Sequence, residues 1–381
     1  MTNKINININ SPIGKTGYGI TSWNIIKQLY LMDIDISLFP IGSNMELNGE
    51  EEKPIVQKML NRVVDYDPSA PFLKIWHQHD LAMRVGYGDY YAFPFFELDT
   101  FNNREKHHLN CCDHIFTSCE WAKQILINNN INIPISIAPL GVDTNIFKVP
   151  TKIKLDSGKY IFGHIGKWEK RKSHDFLLKA FEEAFGPNDD VELWLLPHNP
   201  FLTEQELEPW LNLVRNNKLK DKIKVYSRLP TQYHLADYIF NIDCGVFLSR
   251  AEGWNNEILE CMAMNKPIIA TQYSAHTEYC NEKNSYLVHI DETEVAEDGK
   301  WFFGNGNWAK LGDNELAQTI DYMRYAYQNK ITSNPEGITS AEKYSWKNTA
   351  KIILDTIVKK TNKDYINDKK QKRKKLQNRS K

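Results

Sequence analysis

The densest chemistry in the chain lies in Ser249-Arg250-Ala251-Glu252-Gly253-Trp254-Asn255-Asn256-Glu257-Ile258-Leu259-Glu260, where Glu252 and Glu260 stand eight positions apart. If Glu252 sits in a loop before a helix and Glu260 on its second turn, both carboxylates face one ligand. Each glutamate read alone is an ordinary helix-start acid that complements the macrodipole. A second run, Gly166-Lys167-Trp168-Glu169-Lys170-Arg171-Lys172-Ser173-His174, gathers four cations beside another helix start. Fixed positive charge there would stabilise a leaving diphosphate without a metal, and the competing reading is a solvated basic turn.

Two further strings hold candidate residues. Gly14-Lys15-Thr16-Gly17-Tyr18-Gly19 lies where a strand runs into a helix, so its bare backbone can approach a phosphate or a sugar. Its Gly-Lys-Thr is no P-loop, because the first glycine that motif needs would be residue 9, which is Ile9. The order GxxGxG also differs from the dinucleotide fingerprint, and a tight turn remains the alternative. Trp76-His77-Gln78-His79-Asp80 ends an apolar strand. His77 and His79 share a strand face and would hydrogen-bond a polyol, ligate a cation with Asp80, or serve structure alone; no third ligand cluster is evident for the metal reading.

The elements that must position these strings alternate between strand and helix, the pattern of parallel α/β domains. Strands are predicted at residues 4–10, 34–40, 72–77, 114–118 and 136–139, with helices at 20–32 and 120–128. A second series has strands at 160–166, 191–196, 223–227, 244–248 and 267–271, with helices at 175–185, 235–240 and 256–264. About residues 144–158 connect the halves, and a last helix is predicted over 347–358.

Length and composition fit this plan. At 381 residues, 41% hydrophobic and 25% charged, two domains of ordinary size are expected. No run of about 18 apolar residues occurs, and the opening residues lead into alternating Ile and Asn. Neither a spanning helix nor a secretory signal is therefore expected, and the location read from the sequence is cytoplasmic. Cys111, Cys112, Cys119, Cys244, Cys261 and Cys280 have no CxxC spacing and read as mostly buried thiols. The net charge of −1 conceals eight Lys/Arg and no acid in residues 369–381, leaving −9 on the rest. That polycation reads either as a solvated tail or as a contact for phosphate groups on an anionic membrane surface or a nucleic acid.

The whole set of strings resembles glycosyltransferases of the GT-B fold, in the retaining group called glycosyltransferase family 4, whose E-x7-E motif is matched by Glu252 and Glu260. Phe96-Glu97-Leu98-Asp99, Asp113-His114-Ile115-Phe116-Thr117-Ser118 and Pro139-Leu140-Gly141-Val142-Asp143 are similar to first-domain patterns of that family. Ser274-Ala275-His276-Thr277-Glu278-Tyr279 resembles the segment after its last motif.

The resemblance implies an α/β protein with two Rossmann-like domains facing a central cleft. Residues 1–147 would be the acceptor domain, with a helix over about 345–360 packing back on it. Residues 148–344 would be the nucleotide-sugar domain, and 361–381 a basic, disordered tail. Lys172 matches the phosphate-binding lysine, and Lys167 or Arg171 takes the place of its partner arginine. Glu260 would hold the ribose and Glu252 the donor sugar, with Gly253, Trp254, Asn255 and Asn256 around the diphosphate. Gly17 would lie beside the phosphates. His79 would contact the sugar or acceptor, with His77 as its substitute. Lys172, Glu252 and His79 are thus the implied catalytic set, with no metal and no cofactor.

The implied reaction moves a hexosyl or related unit from a UDP- or GDP-linked sugar to a glycan or lipid-linked glycan, on one face of the sugar. A lipid-linked acceptor goes with action at the inner face of a membrane; glycosylation of modified DNA bases and non-catalytic binding of a nucleotide sugar are the rival readings. Two departures from the family pattern stand out. Gly253-Trp254-Asn255-Asn256-Glu257 replaces the frequent GFGLP, and Gly166-Lys167 replaces a glycine-arginine pair, where lysine lacks the bidentate fork.

Overall fold

The computed structural model describes residues 4–42, 45–151, 154 and 158–360. Two six-stranded sheets organise them, each entirely parallel. The first contains β1 (Asn6–Ser11), β2 (Asp35–Pro40), β3 (Phe72–Lys74), β4 (Tyr90–Ala92), β5 (His114–Thr117) and β6 (Ile135–Ile137), in the order β2-β1-β3-β4-β5-β6. The second contains β7 (Tyr160–Ile165), β8 (Val191–Leu196), β9 (Ile223–Val225), β10 (Cys244–Phe247), β11 (Ile268–Thr271) and β12 (Tyr286–Val288), in the order β12-β11-β10-β7-β8-β9.

The strand sequences explain this layering. Every residue of β7 is buried, as a strand covered by helices on both sheet faces must be. In β1 the alternation puts Ile7 and Ile9 into the apolar core. The intervening Asn8 and Asn10 send their amides to the carbonyls of Asp67 and Phe39, each at 2.8 Å, so the polar half of the pattern is satisfied inside the fold.

Strand order reverses between β1 and β3 in the first sheet and between β7 and β10 in the second. Ligands of open α/β sheets bind outside the carboxyl ends of strands at such reversals. The loops leaving those ends are residues 12–16, 75–80, 166–173 and 248–255, in which all four strings singled out above lie or begin.

The strand expected over 72–77 ends at Lys74. Its neighbour β1 pairs only as far as Asn10 with Lys74, and after Ile75 donates its N–H to Asn10 O the chain turns away. Several elements had no forecast, among them β4, β12, the helices Lys53–Asn61, Asn103–Asn110, Glu204–Arg215, Asp313–Gln328 and Pro335–Lys343, and an antiparallel hairpin of β13 (Thr293–Glu297) and β14 (Phe303–Ala309). Residues 346–360 are helical. Trp346, Ala350, Ile353 and Ile357 of that helix share the core of Ile7, Ile9 and Phe72, and Thr349 Oγ1 donates to Pro139 O at 2.5 Å. The basic tail expected at 361–381 lies outside the described residues. Among the described residues no helix is long and apolar enough to cross a membrane. The cysteines are free, with Cys111 half-buried and the other five buried.

Candidate functional site

A cavity of about 400 Å³ opens between the two sheets, walled by the loops at both strand-order reversals. Gly17, Lys167, Arg171, Lys172, Glu252, Gly253, Trp254, Asn255, Asn256 and Glu260 all line it. His79 does not: it is exposed, its ring stacked on His77 at 5.1 Å, and His77 faces the cavity instead. The reason is the early end of β3, which removes the strand geometry that would have placed both rings on one face. Burial, with His79 and Lys167 nearby, lowers the His77 imidazole to about 4, so it is neutral at physiological pH.

Charge at the centre of the cavity is built from two loops tied by backbone. Arg250 N–H donates to Arg171 O at 2.7 Å, and Arg171 Nη1 donates to Ala251 O at 2.7 Å. Those bonds bring Arg171 Nη1 to 2.7 Å from Glu252 Oε2 and Lys172 Nζ to 2.6 Å from Glu252 Oε1. Glu169 takes the other side of Arg171 at 3.0 Å and holds Lys167 at 2.7 Å. Burial would raise the Glu252 carboxyl, but Arg171 and Lys172 outweigh it and hold that group well below the usual carboxylate range. Of the two candidates for the partner cation, Arg171 is the one that sits with Lys172 on Glu252, whereas Lys167 is more open to solvent and engages Glu169.

The helix Asn256–Ala263 begins inside the cavity. Asn255 precedes it with φ 78°, a left-handed conformation that asparagine tolerates better than most residues. Its Nδ2 lies 3.0 Å from His276 Nε2, while His276 Nδ1 lies 3.0 Å from Thr271 O. A carbonyl only accepts, so the His276 proton sits on Nδ1 and Nε2 accepts from Asn255. Tyr279 Oη donates to Trp254 O at 2.5 Å. The helix start lines the cavity with no side-chain cap, and its first N–H groups have no intrahelical acceptors. Asn256 Oδ1 and Glu260 Oε2 are buried without a hydrogen-bond partner among the described residues. Burial, then the Glu257 charge, pushes the Glu260 carboxyl well above its ordinary range, a cost that hydroxyl donors of a ligand would relieve.

The opposite wall comes from the first sheet. Tyr18 Oη accepts from Phe95 N–H at 2.8 Å and donates to Phe95 O at 2.9 Å, fixing the loop after β4 against the Gly14–Gly19 loop. Ser118 Oγ donates to Gly253 O at 2.6 Å across the cleft. A Cβ on Gly253 would stand 3.0 Å from Phe95 Cβ, so glycine permits the two walls to meet there.

Site residues that the sequence did not single out include Glu97 and the Arg228–Leu229 segment. Glu97 lies 3.8 Å from Arg171. Desolvation raises its carboxyl against the pull of Arg171, with Glu252 adding to the rise. Its signal was present within the Phe96–Asp99 string. Arg228 and Leu229 follow a three-residue strand with two exposed positions, and nothing local marks them. Among the described residues no group of three or more His, Cys, Asp or Glu side chains is arranged to hold a metal.

Two parallel sheets whose reversal loops meet across one cleft define the GT-B fold of glycosyltransferases. Residues 159–301 match the family model described as Glycosyl transferases group 1, which covers the cationic loop and both glutamates. Among solved structures, sucrose-phosphate synthase from Thermosynechococcus elongatus superposes with a TM-score of 0.70 at 14% identity, covering 94% of this chain and 99% of its own. Anabaena HepE in complex with UDP-glucose does so with a TM-score of 0.64 at 13% identity, covering 93% and 100%. The α,α-trehalose 6-phosphate synthase of Burkholderia multivorans gives 0.67 at 8% identity, covering 96% and 98%. No curated protein matches the chain.

Proposed function

We propose that the protein is a retaining glycosyltransferase that moves a hexosyl unit from a UDP- or GDP-linked sugar to a glycan or lipid-linked glycan, without a metal ion. The observation that carries this reading is the pair Arg171 and Lys172, two buried cations held on Glu252 beside the open start of the helix Asn256–Ala263. A nucleoside diphosphate is the ligand that uses both features at once, and Glu260 supplies an unpartnered buried acceptor for its ribose hydroxyls. Residues 148–344 would then hold mainly the donor, and residues 1–147 mainly the acceptor.

As the bond from the anomeric carbon to the diphosphate oxygen breaks, negative charge grows on the leaving phosphate, and Arg171 and Lys172 stabilise it in place. The acceptor hydroxyl attacks from the same face, its oxygen bonding to the anomeric carbon and its proton passing to the leaving diphosphate oxygen. No protein nucleophile is required, so the protein contributes positioning and charge. HepE, whose structure holds UDP-glucose, lends support to a nucleotide-sugar donor.

The test is nucleotide release from UDP- and GDP-linked hexoses in EDTA, with the anomeric configuration of the product read by NMR. Release from one donor class with retained configuration is expected. An inverted product, or no release from either class, would overturn the proposal.

A further inference from the structure

The hairpin of β13 and β14 lies outside both six-stranded sheets, and it is tied into the molecule at its base. Trp308 is fully buried with Ala251 and Ala296, and Asn307 donates from its N–H to Asp99 Oδ1 at 2.8 Å, reaching the first half of the chain. The turn between the strands is equally fixed. Asp298 Oδ1 accepts from the N–H groups of Lys300, Trp301 and Phe302 at 2.9, 2.7 and 2.9 Å, while Asp298 N–H donates to Phe302 O at 3.0 Å.

This ordered tip holds a large ring in solvent. Trp301 is 44% exposed and meets Phe201, itself 52% exposed, at 5.9 Å between centroids and 75° between planes. Lys300 Nζ sits 5.4 Å from the Trp301 ring centre and donates to Phe201 O at 3.1 Å, so the two rings are held as one corner. Phe201 also lines the central cavity, and Lys167 stands 5.4 Å from its ring centre. The corner is therefore continuous with the cleft at the end occupied by the cationic loop.

We infer that Trp301 and Phe201 form a sugar-stacking subsite at the mouth of the cleft, taking a neutral pyranose ring of the acceptor glycan. The inference rests on the transferase reading and names its acceptor class. Two fixed aromatic faces suit the C–H face of a pyranose. The cations around them are already engaged, Lys300 with Glu206, Lys167 with Glu169 and Lys170 with the Glu297 backbone carbonyl, which suits an uncharged ring better than a phosphate. An ordered platform also spares the ligand the cost of fixing a mobile loop.

The test probes the full chain with a printed array of neutral and acidic oligosaccharides, in parallel with a UDP and GDP titration, for wild type, Trp301→Ala and Trp301→Tyr. Wild type is expected to hold at least one neutral glycan. Trp301→Ala should lose about tenfold in that affinity, Trp301→Tyr should restore most of it, and nucleotide binding should be the same in all three. Unchanged glycan binding in Trp301→Ala, or normal nucleotide binding with no glycan held by wild type, would overturn the subsite. So would a Trp301→Ala variant that only converts a dimer into a monomer, since the corner would then cover a second copy. Trp301-dependent glycan binding without any nucleotide binding would keep the sugar site and remove the transferase reading instead.

Discussion

Lys172 Nζ lies 2.6 Å from Glu252 Oε1 inside the cleft, with both side chains more than nine-tenths buried. The cation best placed to meet a diphosphate is thus already paired with a carboxylate of the protein. Arg171 shares that carboxylate and meets Glu169 on its other side, so Glu252 is the anion that stands between the two buried cations.

Removing the shared anion should therefore destabilise the fold in a way that an added anion repairs. Glu252→Ala leaves Arg171 and Lys172 facing each other, which costs about 3 kcal/mol. Thermal melts with and without pyrophosphate are expected to show a lower Tm for the variant and a larger upward shift on adding pyrophosphate than wild type gives. Equal shifts in the two proteins would contradict the shared-anion account.

Lys172→Ala should separate chemistry from binding. Charge on the leaving diphosphate grows in the transition state, so kcat is expected to fall about a hundredfold while the Kd for the nucleotide rises less than about tenfold. Equal losses in both would place Lys172 in ground-state binding alone.

The buried histidines predict an acid-sensitive fold. Burial lowers His77, His114, His164 and His276 to about 4 from an ordinary 6.5, and His174 well below that range. The unfolded chain takes up protons first as pH falls below 6.5. Stability that is complete above 6.5 is therefore lost progressively down to about 4, by up to about 1.4 kcal/mol per pH unit for each histidine. The raised carboxyls of Glu97 and Glu260 act in the opposite sense, but they are fewer. Urea unfolding at pH 7, 6 and 5 should give falling stability, with a shallower slope for His276→Gln. A flat profile would count against these neutral buried rings.

Two neighbouring glycines should respond differently to one methyl group. A Cβ on Gly19 would meet Gly14 N at 2.4 Å, whereas one on Gly17 meets nothing within 4 Å. Gly19→Ala is expected to cost about 2 kcal/mol of stability by forcing the loop apart. Gly17→Ala should leave the melting curve within about 0.5 kcal/mol of wild type and weaken nucleotide binding, because its methyl occupies the cavity wall. Calorimetry and titration on both variants check the contrast; equal effects on stability would refute it.

Much of this architecture was readable from periodicity. Val191–Leu196 is strand over the span expected, and the expected helix 256–264 is observed at Asn256–Ala263. Both are apolar enough for burial to set the period. The helix Glu204–Arg215 went unread although Leu207, Trp210 and Val214 form a half-buried stripe on the second core behind a Thr203–Glu206 capping box; it buries no residue fully, and Pro209 inside it argues against a helix. Tyr90–Ala92 is buried at every position but only three residues long, too short for any period.

The site divides in the same way. Lys172 and Glu252 stand in dense strings of chemistry-bearing residues, and the loops carrying them are bonded to each other. That His77 and not His79 lines the cavity was not legible, because strand length depends on where a neighbouring strand stops, which is a pairing property absent from the local string. Glu97 and Trp301 depend on contacts more than 70 residues away in the chain, to Arg171 and Phe201.

The most direct test of the central claim is calorimetric titration of the protein with UDP and with GDP in EDTA, repeated on Glu260→Ala. Glu260 Oε2 is buried without a partner among the described residues, so the account predicts metal-free binding of one nucleotide that weakens at least about tenfold in the variant. Failure of both nucleotides to bind wild type, or equal binding to wild type and Glu260→Ala, would contradict it.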